Sequence, residues 1–126
     1  MKNKIVKLNV DYTYDPLADV LFVYIKDNND YEEAIELNPI TYLSFNSKGF
    51  PVVIEFLDAS KVLRAKKYGL QNIKKIDINI NITKECIKIE SSFTIPLHNK
   101  EESKVRTLSI GNDYLIPIVN VELITA

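Results

Sequence analysis

With 126 residues, 46% of them hydrophobic and 26% charged, the chain can bury a real core without disulfides or metals and is not disordered. A net charge of −1 gives no general pull towards nucleic acid, and a single cysteine, Cys86, excludes an intramolecular disulfide and fits a reducing compartment. One compact domain, residues 1–126, is expected, with a division into 1–70 and 71–126 as the alternative.

The first residues hold two early lysines but no long apolar run. Neither a secretory signal nor a membrane span is predicted, and a cytoplasmic protein is expected. Ile5 to Val10 is the first predicted strand, and Asp11 to Asp19 is a predicted turn region in which Asp15 caps a helical turn opened by Pro16. Val20 to Ile25 (VLFVYI) is a continuous β-forming run, predicted as a strand buried on both faces. Lys26 to Glu33 is a polar loop, and an acidic stretch of Asp27, Asp30, Glu32, Glu33 and Glu36 runs through it and just beyond. Ile40 to Phe45 and Val52 to Leu57 form a predicted hairpin across the turn residues Asn46 to Gly49. Asp58 is placed to cap a helix from Ala59 to Leu70, with Gly69 near its end.

The second half is strand-rich. Ile76, Ile78, Ile80 and Ile82 alternate with Asp77, Asn79 and Asn81, the pattern of a strand with one buried and one wet face. Cys86 to Ile95 returns beside it, His98 to Lys104 is a charged loop, Val105 to Ile110 is a strand, and Leu115 to Ile124 is the last. The expected class is α+β, mainly β: an antiparallel β-meander with one helix, followed by a second antiparallel β-sheet segment.

The inventory for chemistry is thin. His98 is the lone histidine, so a nucleophile–histidine–carboxylate set has one candidate base in a polar loop, and Cys86 and His98 cannot complete a zinc site. No catalytic residue and no cofactor are implied. Three readings remain. The first is a non-enzymatic module that self-associates or binds a protein partner, with Tyr12, Tyr14 and Tyr31 as interface candidates. The second is nucleic-acid binding through Lys61, Arg64, Lys66 and Lys67, cations that also suit a helix's last turn without any ligand. The third is a metal-dependent phosphoesterase built on Asp15, Asp19, Glu55 and Asp58, of which Asp15 and Asp58 read equally well as helix caps.

Two segments carry a family resemblance. Tyr14-Asp15-Pro16-Leu17-Ala18-Asp19-Val20-Leu21-Phe22-Val23 resembles the opening of domain of unknown function 2283. Gly49 to Leu63, with Val53-Ile54-Glu55-Phe56-Leu57-Asp58-Ala59-Ser60-Lys61, resembles its closing strand and L-D-A-S-K pattern. The resemblance covers roughly residues 10 to 65. It implies a small β-meander with a helix and an antitoxin-like or partner-binding role, and it brings no catalytic residues with it.

Overall fold

The last strand of the chain lies in the middle of the sheet. In the computed structural model, which describes residues 5–28, 30–32 and 34–125, nine strands form one mixed sheet. They are β1 (Val6–Asp15), β2 (Val20–Ile25), β3 (Ile35–Asn38), β4 (Thr41–Phe45), β5 (Pro51–Phe56), β6 (Lys75–Ile82), β7 (Cys86–Leu97), β8 (Lys100–Gly111) and β9 (Val119–Thr125). Their order across the sheet is β3-β4-β5-β2-β1-β9-β6-β7-β8. Every neighbouring pair is antiparallel except β1 and β9, which run parallel with Val6 opposite Val121 and Val10 opposite Thr125. The two halves are thus one sheet, joined at that parallel seam. Glu33 of the acidic stretch lies outside the described residues.

Alternation explains which face is buried. Val10 of β1, Leu21 and Val23 of β2, Leu43 of β4 and Ile54 and Phe56 of β5 point to the same side as Ile76, Ile78, Ile80 and Ile82 of β6. Ile87, Ile89, Phe93 and Ile95 of β7 and Val121 and Leu123 of β9 complete one contiguous core. The sheet curls over itself to close it. Phe56 and Phe93 meet edge to face with ring centroids 5.7 Å apart, although β2, β1, β9 and β6 lie between their strands in the sheet.

Several expectations need correction. Strand β1 runs on through Asp15, because the alternation of Val6, Leu8 and Val10 continues as Tyr12 and Tyr14, while the turn-favouring Asp11 and Asp15 point outward. Strand β2 is buried on one face only, since no helix among the described residues covers the other. The stretch expected as a loop after His98 is the start of β8, and His98-Asn99 is the tip of a long β7–β8 hairpin. The expected helix from Ala59 to Leu70 is two short ones, α1 (Ala59–Val62) and α2 (Lys67–Gln71). Ala59, Leu63, Ala65 and Leu70 are all buried. Leu63 and Ala65, two positions apart, cannot share one helix face, so the chain turns at Arg64, whose φ is 52°. Gly69 lies inside α2, where a methyl group would come within 2.9 Å of Ile95 Cδ1. Its place is a close approach of helix to sheet, not a helix end.

The seam also carries a strained charge. Asp77 of β6 has a buried Oδ1 without a hydrogen-bond partner among the described residues. Burial, then the nearby Glu122 carboxyl of β9, push the Asp77 carboxyl above its ordinary value, and Lys75 and Lys7 only partly offset this. Lys7 of β1 reaches Glu122 at 3.7 Å. An acid with a raised folded pKa binds more protons folded than unfolded, so stability falls as pH rises through that pKa. The Asp77→Asn variant is therefore expected to be more stable than the parent at neutral pH, by on the order of 1 kcal/mol, with the advantage vanishing in acid. Urea unfolding at several pH values measures both.

Candidate functional site

Because the inner face is filled by the core, accessible chemistry sits on the outer face, at the sheet edges and around the short helices. The outer face of β1, β2, β4 and β5 carries a cleft of about 550 Å³. Cross-strand register builds its floor. Thr13 lies opposite Phe22 and Phe22 opposite Glu55, while Tyr24 and Ser44 flank Val53 in the next row. The segment after β2 supplies a wall with Tyr31, Glu32 and Ala34. It is tied down where Glu32 N–H donates to the Phe45 carbonyl at 2.6 Å and Ser47 Oγ donates to Asp30 Oδ2 at 2.8 Å. Phe22 is 36% exposed and Tyr31 63% exposed, so two aromatic rings meet solvent across this cleft. Glu55 makes no side-chain hydrogen bond or ion pair with the described residues, and burial alone pushes its carboxyl up.

The other carboxylates singled out in the sequence do not join Glu55. Among the described residues no three histidines, cysteines or carboxylates come together as a metal-holding group, so the set Asp15, Asp19, Glu55 and Asp58 is not assembled. Asp15 Oδ1 accepts from the Leu17 and Ala18 amides at 2.9 and 3.2 Å, closing the β1–β2 turn. Asp58 stands at the start of α1 but makes no capping bond. Its φ of 50° is left-handed, whereas a side-chain N-cap needs extended backbone.

Asp19 does the capping instead, from 41 positions earlier than Ser60. Its carboxylate accepts from Ser60 N–H at 2.9 Å, Ser60 Oγ at 2.7 Å and the Tyr14 hydroxyl at 2.6 Å, and its own carbonyl accepts from Ala59 N–H at 3.0 Å. Burial raises the Asp19 carboxyl, but the bonds from Ser60 and Tyr14 and the charge of Lys67 outweigh it and hold it below the ordinary value. The Tyr14 hydroxyl is correspondingly pushed up, by burial first and then by Asp19.

The basic residues separate. Arg64 and Lys66 line a second hollow of about 560 Å³ beside Tyr68, His98 and Lys104, where Lys104 is ion-paired with Glu102. Lys67 turns the other way and donates to the Pro16 carbonyl at 2.7 Å, and Lys61 is exposed on α1. The four cations do not form one continuous helical face. Of the tyrosines proposed for an interface, Tyr12 and Tyr14 spend their hydroxyls inside the molecule, Tyr12 accepting from Ile73 N–H at 2.9 Å. Tyr31 lines the outer-face cleft, while Tyr12 and Tyr14 border a separate shallow hollow beside Gln71.

A further feature escaped the sequence. Strand β8 has twelve residues and one neighbour, β7, among the described strands. Its alternation is faint because charged residues occupy the core-side positions Lys100, Glu102, Lys104 and Arg106.

Residues 11–60 match the family described as protein of unknown function (DUF2283), and the chain belongs to that family. The matched segment spans the second half of β1 and all of β2 to β5, and so holds the lining of the outer-face cleft and the Asp19–Ser60 bond. The chain is 32% identical over 108 residues to an uncharacterised protein of Methanocaldococcus jannaschii, covering 82% of this chain and 90% of that one. It is also 32% identical over 89 residues to a Methanosarcina mazei protein provisionally named a hypoxanthine phosphoribosyltransferase, covering 71% of each. No solved structure matches the chain. No helix among the described residues is long and apolar enough to cross a membrane.

The Asp19 bonds generate a prediction with a defined pH window. A carboxyl held below its ordinary pKa adds stability that is complete above the unfolded value and is lost as pH falls through the folded one. Asp19→Asn is expected to lose on the order of 2 kcal/mol at neutral pH, the worth of charge-assisted bonds to a buried acceptor. The gap to the parent should close only well below the usual carboxylate range, as followed by thermal unfolding at stepped pH.

Proposed function

We propose that the protein is a non-enzymatic interaction module that self-associates through the open edge of β8. The observation that carries this reading is the edge itself: twelve residues, about 40 Å of strand, with one side unpaired among the described strands. Such an edge is a template for another strand unless it is short, covered or repelled. Here the charges are of both signs, which restricts pairing to a matched partner instead of forbidding it.

A second copy supplies that match. Antiparallel two-fold pairing centred on Ser103 sets Glu102 of each copy opposite Lys104 of the other, twice by symmetry. The like-charged Lys100 and Arg106 then meet near the hairpin tip, where Lys100 is exposed to water. The outer-face Val105, 70% exposed, comes opposite the stem of Glu101 and loses part of its contact with water. In an antitoxin-like setting the same edge would accept a strand of another protein.

Light scattering across a range of concentrations tests this. The parent is expected to form a dimer. Lys104→Glu turns both attractive pairs into repulsive ones and should weaken the dimer roughly 30-fold, taking about 1 kcal/mol per altered contact. The double exchange Glu102→Lys with Lys104→Glu should restore it. A parent that stays monomeric at every concentration, or a dimer indifferent to Lys104→Glu, overturns the proposal.

A further inference from the structure

A half-buried carboxylate with no partner among the described residues, set among aromatic rings, is an unsolved electrostatic problem within the fold. Glu55 stands at the middle of the outer-face cleft, with Phe22 directly opposite it across β2 and Tyr24 and Val53 in the adjacent row. Its largest perturbation is loss of water, with no compensating donor or cation from the described residues. Asp19, a more deeply buried carboxylate, receives three hydrogen bonds, and Asp77, which keeps an orphaned Oδ1, lies on β6 away from this cleft. The contrast is informative: ion pairs such as Lys7–Glu122 and Lys88–Glu90 are made on other parts of the sheet, and Glu55 is left open to the cleft.

We propose that this cleft is a binding site for a small organic cation, an ammonium group carried on an apolar or aromatic body. The ammonium would take the Glu55 carboxylate as its counter-ion, and the ring faces of Phe22, Tyr24 and Tyr31 would receive both the charge and the apolar body. Glu32 at the wall adds a second negative charge and brings no base with it. The volume, about 550 Å³, lies in the range of small-molecule sites, which are mostly apolar with a few placed polar groups. A metal ion is a poorer occupant, because hard cations want two or three converging oxygens and no such group of three exists among the described residues. An anion would meet two carboxylates. A neutral ligand would desolvate Glu55 further without supplying a counter-charge. The site lies on β1, β2, β4 and β5, away from β8, and stands or falls independently of self-association.

The test is a titration of the whole protein with 2-phenylethylamine, followed by amide proton–nitrogen correlation spectra. The uncharged 2-phenylethanol serves as comparator of the same shape. Saturable shifts centred on Thr13, Phe22 to Tyr24, Tyr31 and Val53 to Glu55 are expected for the amine, with the alcohol at least tenfold weaker. Glu55→Gln, whose spectrum also reports whether it folds, should weaken the amine at least tenfold and leave the alcohol unchanged. Phe22→Leu keeps the apolar volume and should cost the amine roughly threefold, the worth of one exposed cation–π contact. Glu85→Gln, at the exposed β6–β7 turn and outside both the cleft and β8, should leave amine binding unchanged. Equal binding of amine and alcohol, parent-like amine binding by Glu55→Gln, or no shift of the cleft residues at about 10 mM amine would each overturn the proposal.

Discussion

The parallel pairing of β9 with β1 is the contact on which the rest of this protein depends. Among the described strands it is the one parallel contact, and it joins the last of them to the first. Without β9, both β1 and β6 would present open edges in the middle of the structure, and the apolar faces of the two halves would have nothing to hold them in register. With it, β1 to β5 and β6 to β8 become a single curled surface, and Phe56 can pack against Phe93. The pairing spans nearly the whole chain, so its loop-closure entropy must be overcome before it stabilises anything. That predicts slow, highly cooperative folding for a sheet of this kind.

The same constraint decides where function can sit. The inner face is used up: Ile76, Ile78, Ile80, Ile82, Phe93 and Leu21 are fully buried. What is left is the outer face, the basic hollow by α2 and the two sheet edges. β3, at one edge, is four residues long, and Tyr114 reaches across to donate to the Glu36 carbonyl at 3.0 Å. β8, at the other, is three times that length and uncovered among the described residues. The asymmetry between the two edges is the physical basis for assigning association to β8. The contrast between the well-bonded Asp19 and the unpaired Glu55 is the basis for assigning a ligand to the outer cleft.

Local pattern made some elements legible and tertiary context hid others. The isoleucine alternation marks β6 to within a residue at either end, and the turn residues Asn46 to Gly49 place the β4–β5 hairpin correctly. The family segment is recognisable from its two motifs, and its match at residues 11–60 agrees with them. β1 was cut short because Asp11, Thr13 and Asp15 look like turn residues although they face outward from a strand. The helix was drawn too long because burial of both Leu63 and Ala65, invisible in a window average, forces a break. Asp58 looked like the cap because it is adjacent in sequence; Asp19 is the cap because the β1–β2 turn brings it to Ser60. Beyond the β4–β5 and β6–β7 neighbours the strand order could not be read, since no local signal says that β9 enters between β1 and β6. Glu55 was noticed as a carboxylate, but its cleft depends on cross-strand register. Phe22 belongs to an apolar run that by itself reads as core.

Hydrogen–deuterium exchange at two protein concentrations, read strand by strand, tests the account most directly. Amides of β1, β9 and β6 should exchange together, as one cooperative unit set by the parallel seam, at a rate independent of concentration. Amides of β8 from Lys100 to Gly111 should become more protected as concentration rises, because a second copy covers them. Exchange of β8 that is the same at both concentrations would contradict the interaction module, and β9 exchanging well ahead of β1 and β6 would contradict the seam.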